Sequence, residues 1–138
     1  MIIPFASKII STEKAMLSLG EEIANYCSER AIIYLLGELG AGKTTLVRGF
    51  LRGLGYTGFV KSPTYTLIET YELSTIEVIH IDLYRLTESE DYLNLGLSDY
   101  LKNNSILLIE WPKEFIFPPT LRIKIDIQDK KRIVNFTN

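Results

Sequence analysis

Hydrophobic residues recur along the chain at two spacings, and each spacing predicts a different kind of element. Over 12–28 the apolar residues repeat every three or four positions, which predicts a helix whose start Ser11 or Thr12 can cap. Short continuous apolar runs at 31–36 and 106–109 are typical of strands covered on both faces of a sheet. These two runs are therefore candidates for the centre of a sheet.

Further strands are predicted in the second half of the chain. Segments 66–73 and 76–82 are separated by a short turn, which predicts an antiparallel pair. Segment 120–128 alternates strictly between apolar and polar residues, so it predicts a half-exposed strand. A last strand at 132–136 can pair with it across a turn. The apolar side of the alternating strand comprises Leu121, Ile123, Ile125 and Ile127.

Helices are predicted between these strands. A helix over 43–54 follows a glycine-rich turn and ends at the glycines of 53–56, while 88–102 predicts one or two short helices interrupted at Gly96. Alternating strands and helices indicate an α/β fold. We expect one mixed, mostly parallel sheet of six or seven strands, flanked by helices and extended by antiparallel strands. The length of 138 residues predicts a single domain over 1–138.

Composition narrows the possible partners and location. The net charge of -2 gives no basic signature for nucleic acid, so any RNA is expected to be contacted mainly through a partner. No stretch approaches the roughly 18 uncharged apolar residues of a membrane span, and the first ten residues lack the basic start of a signal peptide. The single cysteine, Cys27, is interpreted as a core residue on a helix without a disulfide partner. We therefore expect a cytoplasmic protein.

The segment GELGAGKT at 37–44 matches the phosphate-binding pattern G-x-x-x-x-G-K-[ST] at every fixed position. A buried strand precedes it and a helix follows, as that motif requires. Backbone N–H groups of the glycine-rich turn and the start of the helix would face phosphate oxygens. Lys43 would neutralise the β- and γ-phosphates, and Thr44 would offer its hydroxyl to Mg²⁺. The sequence lacks the N-K-x-D and T-K-x-D segments of guanine sites, which favours ATP.

Two predicted strands end on a carboxylate, namely Asp82 after VIHI and Glu110 after SILLI. Ligands of open α/β sheets lie at the carboxyl ends of strands. One acid can hold Mg²⁺ or its waters while the other orients the attacking water. Spacing leaves open which acid has which role. The structural alternatives are an ion pair for Glu110 and a loop cap for Asp82.

Several neighbouring side chains are compatible with two interpretations. His80 shares a strand face with Asp82 and is interpreted as an ordinary strand residue rather than a ligand. Arg85 fits either stabilisation of transition-state charge or a surface ion pair. Trp111 fits either packing beside a nucleotide or filling of the core. The hydroxyl-rich segment 61–66 lies where a switch loop would fall, and it also fits a polar turn.

Four segments occur in the order GELGAGKTT, VKSPTYTLIETYE, HIDLYRL and IEWP, and together they resemble the TsaE family, formerly YjeE, over about residues 9–127. These are bacterial P-loop ATPases of tRNA threonylcarbamoyladenosine synthesis. The resemblance implies a compact P-loop NTPase fold that binds nucleotide, weak ATPase activity alone and dependence on ATP and Mg²⁺. It also implies two partner proteins, TsaD and TsaB, which transfer the threonylcarbamoyl group to adenosine at position 37 of tRNA. Contact with tRNA would be indirect, through that complex.

The resemblance also implies roles for single residues. Lys43, Asp82 and Glu110 would be catalytic, with Asp82 activating water or contacting the outer shell of the metal. Thr44 and Glu110 would bind Mg²⁺, and 61–66 would be the switch segment. The nucleotide would be contacted by Thr12, Glu13, Gly40, Ala41, Gly42, Lys43, Thr44, Thr45 and Arg132.

Two other functions are compatible with a P-loop. A free-standing small-molecule kinase usually carries an arginine-bearing lid over its acceptor, whereas 83–104 is short and contains one arginine, Arg85. A nucleotide-dependent switch with negligible hydrolysis is the third possibility.

Overall fold

The computed structural model describes residues 5–27, 29–86, 95–113 and 117–138. Within these ranges the chain forms seven strands, two α-helices and one 3-10 helix. In chain order they are β1 (Lys8–Ile10), α1 (Glu13–Ala24), β2 (Ala31–Leu36), α2 (Lys43–Gly53), β3 (Ile68–Glu72), β4 (Glu77–Asp82), the 3-10 helix (Leu97–Tyr100), β5 (Ser105–Glu110), β6 (Leu121–Gln128) and β7 (Lys131–Thr137).

The seven strands form one mixed sheet in the order β1-β7-β6-β2-β5-β4-β3. The four strands β6, β2, β5 and β4 run parallel to one another. The outer pairs β1–β7, β7–β6 and β4–β3 are antiparallel. The predicted α/β fold with a single mixed sheet and added antiparallel strands is thus confirmed. Its parallel part brings the carboxyl ends of β2, β5 and β4 to one edge, where ligand sites of such sheets lie.

Alternation within the strands divides the core into two layers. Both α1 and α2 pack on the layer that contains Ile33, Leu35 and Leu108. The opposite layer contains Ile32 and Ile109, and residues around the 3-10 helix cover it. Side chains two positions apart in a strand share a face, so the last residue of β5 continues the helix-covered side. The site described below therefore lies between the strand ends and α2.

The two helices approach each other closely through glycines. A Cβ atom at Gly49 would lie 2.1 Å from the carbonyl oxygen of Leu17, and one at Gly20 would lie 2.3 Å from that of Leu46. No side chain fits at such distances, so both positions require glycine for backbone contact. This packing fixes the start of α1 relative to the start of α2.

Most predicted elements are observed close to their expected bounds. The helix expected at 12–28 is observed as α1, and the Thr12 side chain accepts a hydrogen bond from the Ala15 N–H at 3.0 Å. The hairpins β3–β4 and β6–β7 are both present. Cys27 is buried as predicted, although it lies just beyond the end of α1 rather than within the helix.

One local prediction differs from the structure, and one strand was not predicted. Ile127 was expected on the apolar side of its strand but is 41% exposed, since it lies near the end of β6 where the apolar layer stops. Strand β1 was not predicted, because three residues are too few to show a period. Within the helical region expected at 88–102, the interruption predicted at Gly96 is observed: its φ is 63°, and the 3-10 helix follows it. Residues 88–94 of that prediction lie outside the described residues.

None of the helices in the described ranges combines the length and the apolar character needed to cross a membrane.

Candidate active site

The P-loop turns through left-handed backbone conformations before α2 begins. Gly40 and Gly42 have φ of 81° and 109°, which side chains other than glycine rarely adopt. Gly42 is the N-cap of α2 and provides no side-chain hydrogen bond to the helix start. The first N–H groups of a helix have no partner within it, so those of α2 are available to a phosphate.

Lys43 lies folded across this loop, only 5% exposed. Its Nζ donates a hydrogen bond of 2.5 Å to the carbonyl oxygen of Gly37 and lies 3.7 Å from Oε1 of Glu110. The same nitrogen is 4.2 Å from the ring centroid of Trp111. Burial lowers the pKa of Lys43, while the Glu110 and Asp82 carboxylates oppose that shift. The ammonium thus has several internal partners, which a phosphate would replace with stronger countercharge.

Glu110 is the last residue of β5 and is 4% exposed. Its Oε2 lies 2.5 Å from Nε2 of His80, a residue with no exposed surface, while Oε1 faces Lys43. In the parallel register His80 pairs with Leu108, two residues before Glu110. The contact is therefore a diagonal one between neighbouring strands, which long side chains can span. Each carboxylate oxygen of Glu110 has a different cationic or hydrogen-bonding neighbour.

Asp82 ends β4 beside Glu110 and is 6% exposed. Its Oδ1 accepts a hydrogen bond of 2.9 Å from the Tyr84 N–H, so the loop cap considered for Asp82 is present. Burial raises the pKa of Asp82; the Tyr84 hydrogen bond opposes this shift, and the Glu110 carboxylate adds to it. The structure brings the two acids together at adjacent strand ends. A role of Asp82 toward water stays a prediction.

The segment 61–66 is hydrogen-bonded to the loop that follows β4. The Arg85 guanidinium donates to the carbonyl oxygens of Thr64 and Tyr65 at 3.1 and 3.0 Å. Its Cζ also lies 5.6 Å from the Tyr65 ring centroid, although the ring itself is 83% exposed. Within the described ranges, the contacts of Arg85 are thus with backbone and ring rather than with a carboxylate. Arg85 fixes the shape of the predicted switch segment.

A cavity of about 240 Å³ opens on the other flank of the P-loop. Arg132 of β7 lies in its wall, where Nε and one terminal nitrogen donate to the carbonyl oxygens of Ala41 and Gly40 at 3.1 and 3.3 Å. Residues from both halves of the chain meet there. The predicted nucleotide contacts in this wall are Thr12, Glu13, Gly40, Ala41, Gly42, Thr45 and Arg132. The wall does not include Lys43, Thr44, Asp82 or Glu110.

The donor set fits a magnesium ion that is shared with a nucleotide. Within the described residues no group of three or more His, Cys, Asp and Glu side chains could hold a metal alone. Mg²⁺ is commonly bound by one or two carboxylates, with phosphate oxygens and waters completing the shell. Glu110 at its strand end and the hydroxyl of Thr44 in the first turn of α2 provide donors of this kind. The ligand roles of both residues stay predictions.

Two neighbours of the site were not assigned roles from the sequence. The hydrogen bond of His80 to Glu110 depends on the register of β4 and β5, which no local pattern reveals. Lys130 lines the cavity from the turn before β7. The signal for it in the sequence is its position two residues before Arg132. Trp111 lies against Lys43 and has a backbone φ of 55°; its packing beside a nucleotide stays a prediction.

Comparison with known proteins places the chain among relatives of one kind. A family model described as "Threonylcarbamoyl adenosine biosynthesis protein TsaE" matches residues 10–134. A protein from Haemophilus influenzae, named tRNA threonylcarbamoyladenosine biosynthesis protein TsaE, is 43% identical over 134 residues, which cover 91% of this chain and 85% of that protein. A Bacillus subtilis protein of the same name is 41% identical over 113 residues, covering 77% of this chain and 68% of that protein.

A solved structure agrees with these matches. The crystal structure of Bacillus subtilis YdiB aligns with a TM-score of 0.79 and 27% identity, covering 95% of this chain and 83% of that one. The family model covers nearly the whole described sheet, from the end of β1 to the middle of β7. The chain therefore belongs to the TsaE family.

Proposed function

We propose that this chain is a magnesium-dependent ATPase that acts with TsaD and TsaB in the synthesis of threonylcarbamoyladenosine in tRNA. The pathway is supported by family membership and by the printed names of the relatives. The ATPase activity is supported chiefly by one observation, the buried pair of Lys43 and Glu110 across the P-loop. Buried charges are expensive unless paired, so such a pair at a phosphate loop points to chemistry rather than to stability.

Binding of ATP would use groups that the structure already presents. N–H groups at the start of α2 would donate to phosphate oxygens, and Lys43 would exchange the Gly37 carbonyl and Glu110 for the β- and γ-phosphates. The exchange replaces one buried countercharge by another, so Lys43 keeps a partner throughout. Arg132 would hold the carbonyls of Gly40 and Ala41 and keep the loop in its curved form.

Hydrolysis would then take place at the ends of β4 and β5. Thr44 and Glu110 would hold Mg²⁺, which when bound neutralises charge on the β- and γ-phosphates. Asp82 would orient a water toward the γ-phosphorus and accept its hydrogen bond, since burial already favours proton uptake by this carboxyl. The water oxygen would bond to the γ-phosphorus as the bond to ADP breaks, and Asp82 would take up the proton that the water loses, which gives ADP and inorganic phosphate.

In this proposal the partners, and not this chain, carry out the threonylcarbamoyl transfer. Hydrolysis would reset the complex between turnovers. The net charge of -2 agrees with an indirect contact to tRNA, because a direct tRNA-binding protein usually carries a basic surface. We also propose that the chain acts in the cytoplasm, where tRNA is modified.

ATP hydrolysis should be measured for the chain alone, with the TsaD–TsaB pair, and with the pair and tRNA. The expected result is slow hydrolysis alone, a change in rate with the pair, and repeated rounds of transfer only when this chain is present. Lys43→Ala should abolish both activities, because it removes the phosphate countercharge. Lys102→Ala removes an exposed lysine before β5 and should leave both unchanged.

Equal multiple-turnover transfer without this chain would refute its place in the pathway. Transfer of the γ-phosphate to a metabolite instead of water would identify the kinase alternative. One observation argues against that alternative. The Arg85 guanidinium donates hydrogen bonds to the carbonyl oxygens of Thr64 and Tyr65, so it does not have the position of a lid arginine over an acceptor.

A further inference from the structure

We propose that His80 is a positioning residue that sets the orientation of the Glu110 carboxylate for Mg²⁺. This inference rests on the proposed magnesium-dependent function, and it adds a residue that the sequence interpretation treated as an ordinary part of a strand. The observation behind it is the 2.5 Å contact between Nε2 of His80 and Oε2 of Glu110 in a fully enclosed position.

The burial and the polar contacts of His80 favour a positioning role. Its side chain has no exposed surface, so it cannot meet substrate or solvent directly. Among the residues that the structure describes, none hydrogen-bonds to Nδ1, which leaves Nε2 as the ring atom with a polar contact. With the proton on Nε2, the ring donates to the carboxylate and turns only a lone pair toward the interior. A proton on Nδ1 would instead leave a buried N–H without an acceptor, which costs more.

Strand geometry makes the contact a fixed one. His80 and Glu110 lie on neighbouring parallel strands at diagonal positions, because His80 pairs with Leu108. Both strands are covered on both faces and have almost wholly buried side chains. The imidazole therefore has no room to leave Oε2, whereas Lys43 reaches Oε1 with a flexible side chain that can swing away. When Lys43 moves to a phosphate, Oε1 is released toward the loop while Oε2 stays held.

A held carboxylate is a better ligand than a rotating one. Hydrogen bonds from groups behind a metal ligand fix its direction, and loss of such a group typically lowers metal affinity or activity by about 10- to 100-fold. His80 would act in this way by restricting Glu110 to the rotamer whose other oxygen, Oε1, faces Lys43 of the P-loop. His80 itself would neither touch the metal nor transfer a proton.

Three substitutions separate this role from simple packing. His80→Gln places an amide N–H near the position of Nε2 and should keep the contact. His80→Asn carries the same amide one methylene shorter, near the position of Nδ1, and cannot reach Glu110. His80→Leu fills a similar volume without any donor. Gln and Asn have the same chemistry, so their difference reports reach rather than polarity.

The readout is the affinity for the β,γ-imido analogue of ATP, measured by calorimetry with Mg²⁺ and with EDTA. Wild type should bind more tightly with Mg²⁺. His80→Asn and His80→Leu should reduce that enhancement about tenfold, while their affinities in EDTA stay close to wild type. His80→Gln should retain most of the enhancement. Magnesium binding by the free analogue is common to all samples and cancels in the comparison.

The possible failures are distinguishable. Equal affinity of the wild type with Mg²⁺ and with EDTA would overturn the magnesium-dependent function itself, and the role of His80 with it. An enhancement in the wild type that persists in both His80→Asn and His80→Leu would overturn only the positioning role. A loss of affinity that is equal in Mg²⁺ and EDTA would show that His80 supports the fold. Thermal melting of each variant checks folding, and the Gln–Asn comparison holds even where the Leu variant is unstable.

Discussion

Glu110 is buried at a cost that its neighbours offset. Removing a carboxylate from water is unfavourable unless charged or hydrogen-bonding partners replace the solvent. Lys43 and His80 provide those partners, one on each oxygen. A buried ion pair of this kind contributes little net stability compared with apolar residues of similar size. Its presence at a P-loop is therefore better explained by exchange of partners during nucleotide binding.

Replacing Glu110 by glutamine tests that explanation. The amide keeps the shape and can still accept from His80, but it removes the countercharge of Lys43 and the predicted carboxylate ligand of magnesium. We expect ATP binding in EDTA to be retained or strengthened, because a phosphate then offers the missing charge to Lys43. Hydrolysis with Mg²⁺ should fall on the order of 100-fold or more, since even changes behind a metal ligand cost roughly 10- to 100-fold.

Calorimetry measures the affinity for ATP in EDTA, and a phosphate-release assay measures the rate of hydrolysis with Mg²⁺. Glu72→Gln, at an exposed acid in β3, is a matched control that should behave as wild type. Unimpaired magnesium-dependent turnover in Glu110→Gln would contradict the ligand role of Glu110.

Asp82 carries a pH-dependent penalty on folding. Its pKa is raised from 3.8 by burial, so the folded state binds the proton more tightly than the unfolded state does. Below pH 3.8 both states are protonated and no penalty exists. As pH rises toward the folded pKa the unfolded state ionises first, so stability falls, and above that pKa the penalty is complete. Asp82→Asn should thus melt higher at pH 7, on the order of a few degrees.

The amide of that variant can still accept from the Tyr84 N–H, so the loop cap remains. The gain in melting temperature should shrink as the pH is lowered toward 3.8. Melting curves over a pH series measure it, with Asp126→Asn on β6 as a control for net charge. A gain that is independent of pH would show that ionisation of Asp82 is not its cause. Hydrolysis should be lost in the same variant if Asp82 orients the water.

At the scale of elements, the sequence was sufficient where a period or a motif was long enough. The β2–P-loop–α2 unit and the ends of β4 and β5 were predicted almost to the residue. Their apolar runs and glycines are strong local signals. Strand β1 has only three residues, and its pairing with β7 joins distant parts of the chain. The contact between His80 and Glu110 likewise depends on pairing, which local composition cannot encode.

The packing of α1 on α2 also could not be predicted from a local sequence pattern. Gly49 reads in the sequence as a weak point of a helix, whereas in the structure it admits the backbone of Leu17. Gly49→Ala gains about 1 kcal/mol of helix propensity but places a methyl group 2.1 Å from a carbonyl oxygen. Overpacking typically costs about 1–3 kcal/mol, and this contact is severe. We expect a net loss of at least about 2 kcal/mol.

Urea denaturation measures the loss, and the exposed Arg52→Ala on the same helix is the control. Because α2 carries the start of the phosphate site, nucleotide affinity should fall together with stability. A Gly49→Ala protein as stable as wild type would mean that the two helices can separate without cost.

On the scale of the whole molecule, the cavity beside the P-loop joins distant parts of the sequence. Thr12 precedes α1, Gly40 and Ala41 belong to the P-loop, and Arg132 belongs to the last strand. The sheet order makes this possible, because β7 lies between β1 and β6 and brings the two ends of the described chain together. The cavity therefore depends on the complete sheet rather than on the P-loop unit alone.

Substitution of Arg132 tests whether the last strand contributes to nucleotide affinity. The Arg132 guanidinium holds the carbonyls of Gly40 and Ala41 and also lines the cavity, so it affects both loop shape and local charge. Arg132→Ala should lower affinity for an ATP analogue by at least about tenfold, because hydrogen bonds from charged groups contribute roughly 1.5–3 kcal/mol. Arg132→Lys should have an intermediate affinity, since it keeps the charge but not the planar pair of donors.

Calorimetry in EDTA isolates this effect from magnesium, and Lys131→Ala, at an exposed residue, is the control. Wild-type affinity in Arg132→Ala would show that the last strand supports the sheet without contributing to the nucleotide site.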